Sequence, residues 1–177
     1  MDGIFTFKCF TPEQVKEINK TIKKNILKKE ESSQVAENVP KTGEFSLVPC
    51  LPIMKLVHPW LYQCQNINSQ YFGYSIYWQF HLDTFNYNVY ETKGGYDWHM
   101  DASKIGSCSD TKLTCLVNLS EEPYEGGEFK SLHQTKELQF DAGMGLVTHS
   151  VVAHKVTPVT QGKRITLTYW ASGPSWR

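Results

Sequence analysis

The sequence carries no net charge, because its 18 Lys and Arg balance its 18 Asp and Glu. No global field therefore draws it to nucleic acid or to an anionic membrane, and no concentrated basic strip marks a nucleic-acid face. No apolar run approaches the length of a membrane-spanning helix. The apolar stretch inside MDGIFTFKCF is too short for a signal peptide, so a cytoplasmic location is expected. Cysteine is scarce: five residues, an odd number, without CxxC spacing. That pattern reads as free thiols in a reducing compartment. Internal repeats and low-complexity segments are also missing. With 177 residues the chain suits one domain over 1–177, burying roughly 70% of its unfolded surface.

Helical signals come first. Thr11, Pro12 and Gln14 form a capping-box pattern with Pro at the first helical position. Val15, Ile18, Ile22 and Ile26 follow at helical spacing, and six lysines between 16 and 29 fill a solvated face. Residues 31–49 show neither period and read as loop with one short strand. A second helix is expected over about 52–69, with Ile53, Leu56, Val57, Trp60, Leu61, Cys64 and Ile67 on one face and a kink or restart at Pro59. From Gly73 the character changes. Strands are expected at YSIYW (74–78), FNYNVY (85–90), LTCLVNL (113–119), Leu146–Val152 and ITLTYW (165–170), with glycines between them. Helices followed by many short strands indicate a mainly β fold, a double-stranded β-helix (jelly roll) with N-terminal helices packed on one sheet. The helical support is expected over about 1–72 and the jelly-roll core over about 73–171.

The chemistry concentrates between Tyr90 and Trp170. His99 and Asp101 are one residue apart, which in a strand puts both on one face, about 6–7 Å apart along the backbone. Trp98 and Met100 then face the other way, as packing residues. Three histidines could complete a metal site: His133 in a polar segment, His149 at a strand end, and His154. A three-residue turn at 161–163 would pair Thr160 with Arg164 and His154 with Trp170, placing His154, Arg164 and Trp170 on one face. His154 is favoured on that ground. Two histidines and an aspartate form a facial ligand set for ferrous iron that leaves positions open. Such a set also suits catalytic zinc. Arg164 separates the two, since a buried guanidinium needs a partner. A dicarboxylate chelating the metal at one end and paired with Arg164 at the other supplies it.

Tyr90, Gly95 to Asp101, Gly126 to Phe129, Gly143, Gly145, His154 to Val159, Gly162, Arg164 and Trp170, in that order, resemble the prolyl 4-hydroxylase-like Fe(II)/2-oxoglutarate dioxygenases, the small microbial and phage-type members most closely. The resemblance covers roughly residues 85–171. It implies that His99, Asp101 and His154 hold Fe(II), that Arg164 and Tyr90 bind the distal carboxylate of 2-oxoglutarate, and that Trp170 walls that pocket. O2 and, as an auxiliary, ascorbate are the other implied small molecules. The implied reaction hydroxylates a C–H bond, with release of succinate and CO2.

The expected substrate is a prolyl residue in a protein or peptide. Aromatics Tyr74, Tyr77, Trp78, Tyr87, Tyr96, Trp98 and Tyr124 could line a groove for it or serve as core. Residues 102–111 would edge that groove, although they are too short for a long peptide-clamping lid. The alternatives are the same chemistry on a free amino acid or small metabolite, dealkylation of a nucleobase, which the neutral charge opposes, and a non-enzymatic jelly-roll binding module.

Overall fold

The computed structural model describes residues 3–31, 41–80, 83–102, 110–132, 134 and 138–176, with only the backbone of 28–31. The chain runs β1 (Ile4–Lys8), α1 (Pro12–Lys24), β2 (Lys28–Glu31), β3 (Lys41–Thr42), β4 (Glu44–Pro49) and α2 (Cys50–Ile67), then a π-helical turn at Asn68–Phe72. It continues through β5 (Thr84–Tyr90), β6 (Gly95–His99), β7 (Thr111–Asn118), β8 (Glu125–Gly126), β9 (Phe129–Ser131), β10 (Met144–His149), β11 (His154–Val156), β12 (Val159–Gln161) and β13 (Arg164–Ser172). A major sheet takes the order β1-β10-β7-β13-β5-β4-β2 and a minor sheet the order β3-β6-β11-β9, while β12 pairs with β8. This is the double-stranded β-helix with helices on one sheet. Strands β1, β2 and β4 join the major sheet and β3 the minor one, so this part of the chain is more than helical support.

Helix α1 begins as its sequence dictates. The Thr11 hydroxyl accepts from the Gln14 N–H, and the Gln14 side chain accepts from the Thr11 N–H. Its face Val15, Ile18 and Ile22 is buried, whereas Ile26 lies beyond the helix end and only partly inside. Helix α2 runs unbroken through Pro59 and buries Ile53, Val57, Trp60, Leu61, Cys64 and Ile67. Each such aliphatic side chain contributes about 1.5–3 kcal/mol when fully buried. A buried polar network ties α1 to the sheet: Asn19 Nδ2 donates to the Leu119 carbonyl and to Glu121, and the Tyr87 hydroxyl donates to Asn19 Oδ1. Among the described residues no helix is long and apolar enough to cross a membrane.

The major sheet obeys a strict alternation. In β13, Ile165, Leu167, Tyr169 and Ala171 join the core beneath the helices, while Arg164, Thr166, Thr168 and Trp170 line a pocket on the other face. In β5 the core takes Phe85, Tyr87 and Val89, and the pocket takes Asn88 and Tyr90. In β7, Leu113, Cys115 and Val117 are core, and Thr114 and Leu116 face the pocket. The two-residue strand period separates structure from site.

Three expectations are corrected. Residues 74–78 form no strand, because the Asn68 side chain takes up both the N–H and the carbonyl of Tyr74 as a sheet neighbour would. β10 ends at His149, and Val151 and Val152 lie in the turn after it. The hairpin pairing Thr160 with Arg164 and His154 with Trp170 does not form: β12 pairs with β8, β11 with β6 and β9, and β13 with β5 and β7. Gly162, at φ +79°, turns the chain from one layer to the other instead of closing a hairpin.

Candidate metal centre and co-substrate pocket

The two sheets face each other across a pocket lined by Lys41, Tyr90, His99, Asp101, His154, Arg164 and Trp170, among others. His99 and His154 sit directly opposite one another on the paired strands β6 and β11. Asp101 lies just past the end of β6 instead of within a strand, its N–H donating to the Ser150 carbonyl. One ligand atom from each of the three falls within 4.8 Å of the other two. His99 Nε2 is 3.6 Å from Asp101 Oδ1, and His154 Nε2 is 3.4 Å from Asp101 Oδ2.

The imidazoles are set for ligation. His99 Nδ1 lies 2.7 Å from the Asp97 carbonyl, and His154 Nδ1 lies 2.9 Å from the Val152 carbonyl. A carbonyl only accepts, so each Nδ1 carries the proton and each Nε2 presents a lone pair. Burial, and then the neighbouring His154, push the His99 pKa down from 6.5 to about 4, which favours the neutral, ligating form. Tyr96 stacks on His99 at 3.4 Å and Phe129 on His154 at 4.9 Å, holding the ring planes.

Arg164 is 1% exposed, and its Nε and Nη2 have no hydrogen-bond partner among the described residues. Its guanidinium lies 5.5 Å above the Tyr90 ring, the two residues being partners in the β13–β5 register. Trp170 Nε1 at the pocket wall is likewise buried without a partner among the described residues. Unmet buried donors are costly, and a buried cation more so. A carboxylate placed there removes both penalties, so the residues present fit a dicarboxylate. Two imidazole nitrogens and a carboxylate oxygen fit Fe(II) beside it.

The pocket accounts for Gly127 of the Gly126-Gly127 pair. Gly127 has φ +62°, and a Cβ there would come 2.7 Å from Arg164 Cδ. We expect Gly127→Ala to displace the guanidinium, raising the apparent KM for 2-oxoglutarate more than it lowers metal affinity. Co-substrate titration beside Co(II) titration of the same variant checks this.

Of the two described histidines considered for the third ligand, His154 is the one brought to His99 and Asp101, though not by the hairpin. It faces the major sheet from the minor one. His149 has the opposite parity to Thr148 on β10 and points away, its Nδ1 2.9 Å from the Tyr74 hydroxyl and its ring against Phe72. His133 and residues 103–109 of the expected groove edge lie outside the described residues. Trp98 and Met100 turn away from the pocket as expected, but at 39% and 57% exposure they face solvent instead of packing. Most of the expected groove aromatics have other roles. Tyr87 is core, Trp78 stacks on Tyr169, Tyr74 meets His149, and Tyr124 accepts from Asn118. Tyr96 lines the pocket, with Trp98 exposed two residues along.

Sequence reasoning missed Lys41, Asn88 and Thr114. Asn88 and Thr114 share the strand parity of Tyr90, Arg164 and Trp170, and that parity could have revealed them. Lys41, packed over the rings of Phe45 and Tyr96 at 3.7 and 4.8 Å, follows a segment with no periodic signal.

The model of the 2OG-Fe(II) oxygenase superfamily matches residues 85–172, about half of the chain, which spans the pocket-lining strands β5 to β13. The chain belongs to that superfamily, whose members use Fe(II), 2-oxoglutarate and O2. It is similar to a PKHD-type hydroxylase of Alteromonas mediterranea, 33% identical over 93 residues, which are 48% of this chain and 41% of the relative. It is also similar to one of a Synechococcus species, 36% identical over 84 residues, covering 45% and 37%. The matches thus span about two-fifths of the length of these relatives. Among solved structures, a Pseudomonas putida prolyl-4-hydroxylase superposes with a TM-score of 0.68 at 16% identity, covering 98% of this chain and 94% of that one. A viral collagen prolyl hydroxylase of Paramecium Bursaria Chlorella virus-1, solved as a 2OG complex, gives 0.69 at 14% identity, covering 97% of each chain. A Trichoplax adhaerens prolyl hydroxylase in complex with a hypoxia inducible factor oxygen degradation domain peptide fragment gives 0.70 at 15%, covering 97% and 84%. At these identities the likeness shows the prolyl hydroxylase type of double-stranded β-helix.

Proposed function

We propose that this chain is an Fe(II)- and 2-oxoglutarate-dependent hydroxylase acting on a prolyl residue in a protein or peptide. The observation that carries the reading is the buried Arg164 guanidinium, with two unpartnered nitrogens, in the same pocket as three convergent metal-ligand atoms. His99, Asp101 and His154 hold the metal. Arg164 donates its planar fork to the distal carboxylate of 2-oxoglutarate, Tyr90 supports that carboxylate beneath the guanidinium, and Trp170 walls the pocket. Bound iron supplies the oxygen activation and C–H oxidation, with 2-oxoglutarate as the two-electron donor. One oxygen atom of O2 enters the substrate C–H as a hydroxyl, the other enters succinate, and CO2 leaves. The protein itself contributes orientation and a pocket sheltered from water.

The peptide reading draws on the prolyl hydroxylase neighbours, one of which is bound to a peptide fragment. In this chain it draws on the exposed Trp98 and Met100, on either side of His99, as apolar contacts for an extended segment. The test is co-substrate turnover with a panel of proline-containing peptides and free amino acids. Succinate should form in step with a gain of one oxygen on proline, read by mass spectrometry. If free amino acids couple turnover and no proline peptide does, the small-metabolite reading replaces this one.

A further inference from the structure

We propose that Thr114 is a positioning residue that selects which oxygen of Asp101 the metal receives, and that this contact ties the metal centre across the two sheets. The proposal rests on the assignment of His99, Asp101 and His154 as metal ligands. The two histidines belong to the minor sheet, on neighbouring strands β6 and β11. Asp101 does not stay with them. Once β6 has ended, its N–H and that of Ala102 both donate to the Ser150 carbonyl, each at 3.0 Å. Ser150 is fastened to the start of β7, by its N–H to the Lys112 carbonyl at 3.0 Å and by its hydroxyl to the Thr111 carbonyl at 2.6 Å. The carboxylate is then gripped from the same strand, because the Thr114 hydroxyl donates to Asp101 Oδ2. One ligand of the three is therefore anchored to the major sheet, through Ser150 at its backbone and Thr114 at its side chain.

A carboxylate offers two nearly equivalent oxygens and turns about its Cβ–Cγ bond. The two oxygens face different histidines at similar distances, Oδ1 at 3.6 Å from His99 Nε2 and Oδ2 at 3.4 Å from His154 Nε2. It is therefore the hydroxyl proton on Oδ2 that removes the equivalence and leaves Oδ1 as the freer donor. Ligation through one oxygen instead of both leaves a further coordination position open, which a chelating co-substrate requires. Thr114 is 1% exposed, so bulk solvent has little access to its hydroxyl. Its β-branched side chain has few rotamers, so the hydroxyl stays aimed. Groups that orient a metal ligand through a hydrogen bond typically account for 10–100-fold in metal affinity.

The test uses the metal-free protein titrated with Co(II), followed by visible absorption. Thr114→Val, nearly the same size, should bind Co(II) about 10–100-fold more weakly. Thr114→Ser, which restores the hydroxyl, should recover most of the affinity. Thr114→Ala should match Thr114→Val, and it keeps the test open if the valine variant folds poorly. Wild-type affinity in either hydroxyl-free variant overturns the proposal, as does a serine variant as weak as valine. His99→Ala separates the two levels. If it loses Co(II) while Thr114→Val keeps it, only the role of Thr114 fails. If His99→Ala binds Co(II) like the wild type, the ligand assignment fails first.

Discussion

His99→Ala, Asp101→Ala and His154→Ala should each abolish 2-oxoglutarate turnover and lose Fe(II) or Co(II), with little change in the stability of the metal-free fold. The three side chains line a pocket between the sheets and lie outside the apolar cluster of helices and major sheet that holds the molecule together. Removing one ligand leaves two, which hold a divalent ion against water far more weakly. In the wild type, metal binding should raise the melting temperature, since a ligand at 100 times its Kd adds about 2.7 kcal/mol to the folded state. That increment should vanish in all three variants. His149→Ala should keep both the metal and the increment, because its ring packs on Phe72 and Tyr74, away from the pocket. Loss of metal in His149→Ala with retention in His154→Ala would reverse the assignment.

Arg164→Lys should raise the 2-oxoglutarate requirement while leaving Co(II) affinity near wild type. The substitution keeps the charge and discards the planar, two-pronged donor geometry. Hydrogen bonds to a charged group contribute about 1.5–3 kcal/mol, so the shift should be about ten- to a hundred-fold. Tyr90→Phe should move the same quantity in the same direction by less, since it removes one neutral donor. The measurement is succinate formation against 2-oxoglutarate concentration at saturating iron. An unchanged requirement in Arg164→Lys would move the anion site elsewhere in the pocket, Lys41 being the other cation on its wall among the described residues.

Much of this was legible in the sequence, wherever the information is local. The Thr11–Gln14 box and the spacing of Val15, Ile18 and Ile22 define α1, because capping and the helical period involve residues within a few positions of each other. The alternation of RITLTYWA in β13 is equally local. A strand with that pattern must turn Arg164, Thr166, Thr168 and Trp170 to one side and its apolar residues to the other. The ordered motifs between Tyr90 and Trp170 likewise singled out every residue now proposed to hold the metal or the co-substrate.

What the sequence left open depends on which strands meet. The turn at Gly162 looked like a hairpin, and only the sheet order shows that it sends β12 and β13 to different partners. The sequence favoured His154 over His149 only through a hairpin register that does not form. β10 turns His149 toward Phe72 and Tyr74, whereas β11 pairs with β6 and sets His154 opposite His99. Thr114 and Asp101 are 13 residues apart and belong to different elements, and their contact exists only because the chain past β6 crosses to the other sheet. Strand period determines which side chains share a face and is written in neighbouring residues. Convergence of two facing sheets on one ion depends on pairing between distant segments, and only tertiary packing decides it.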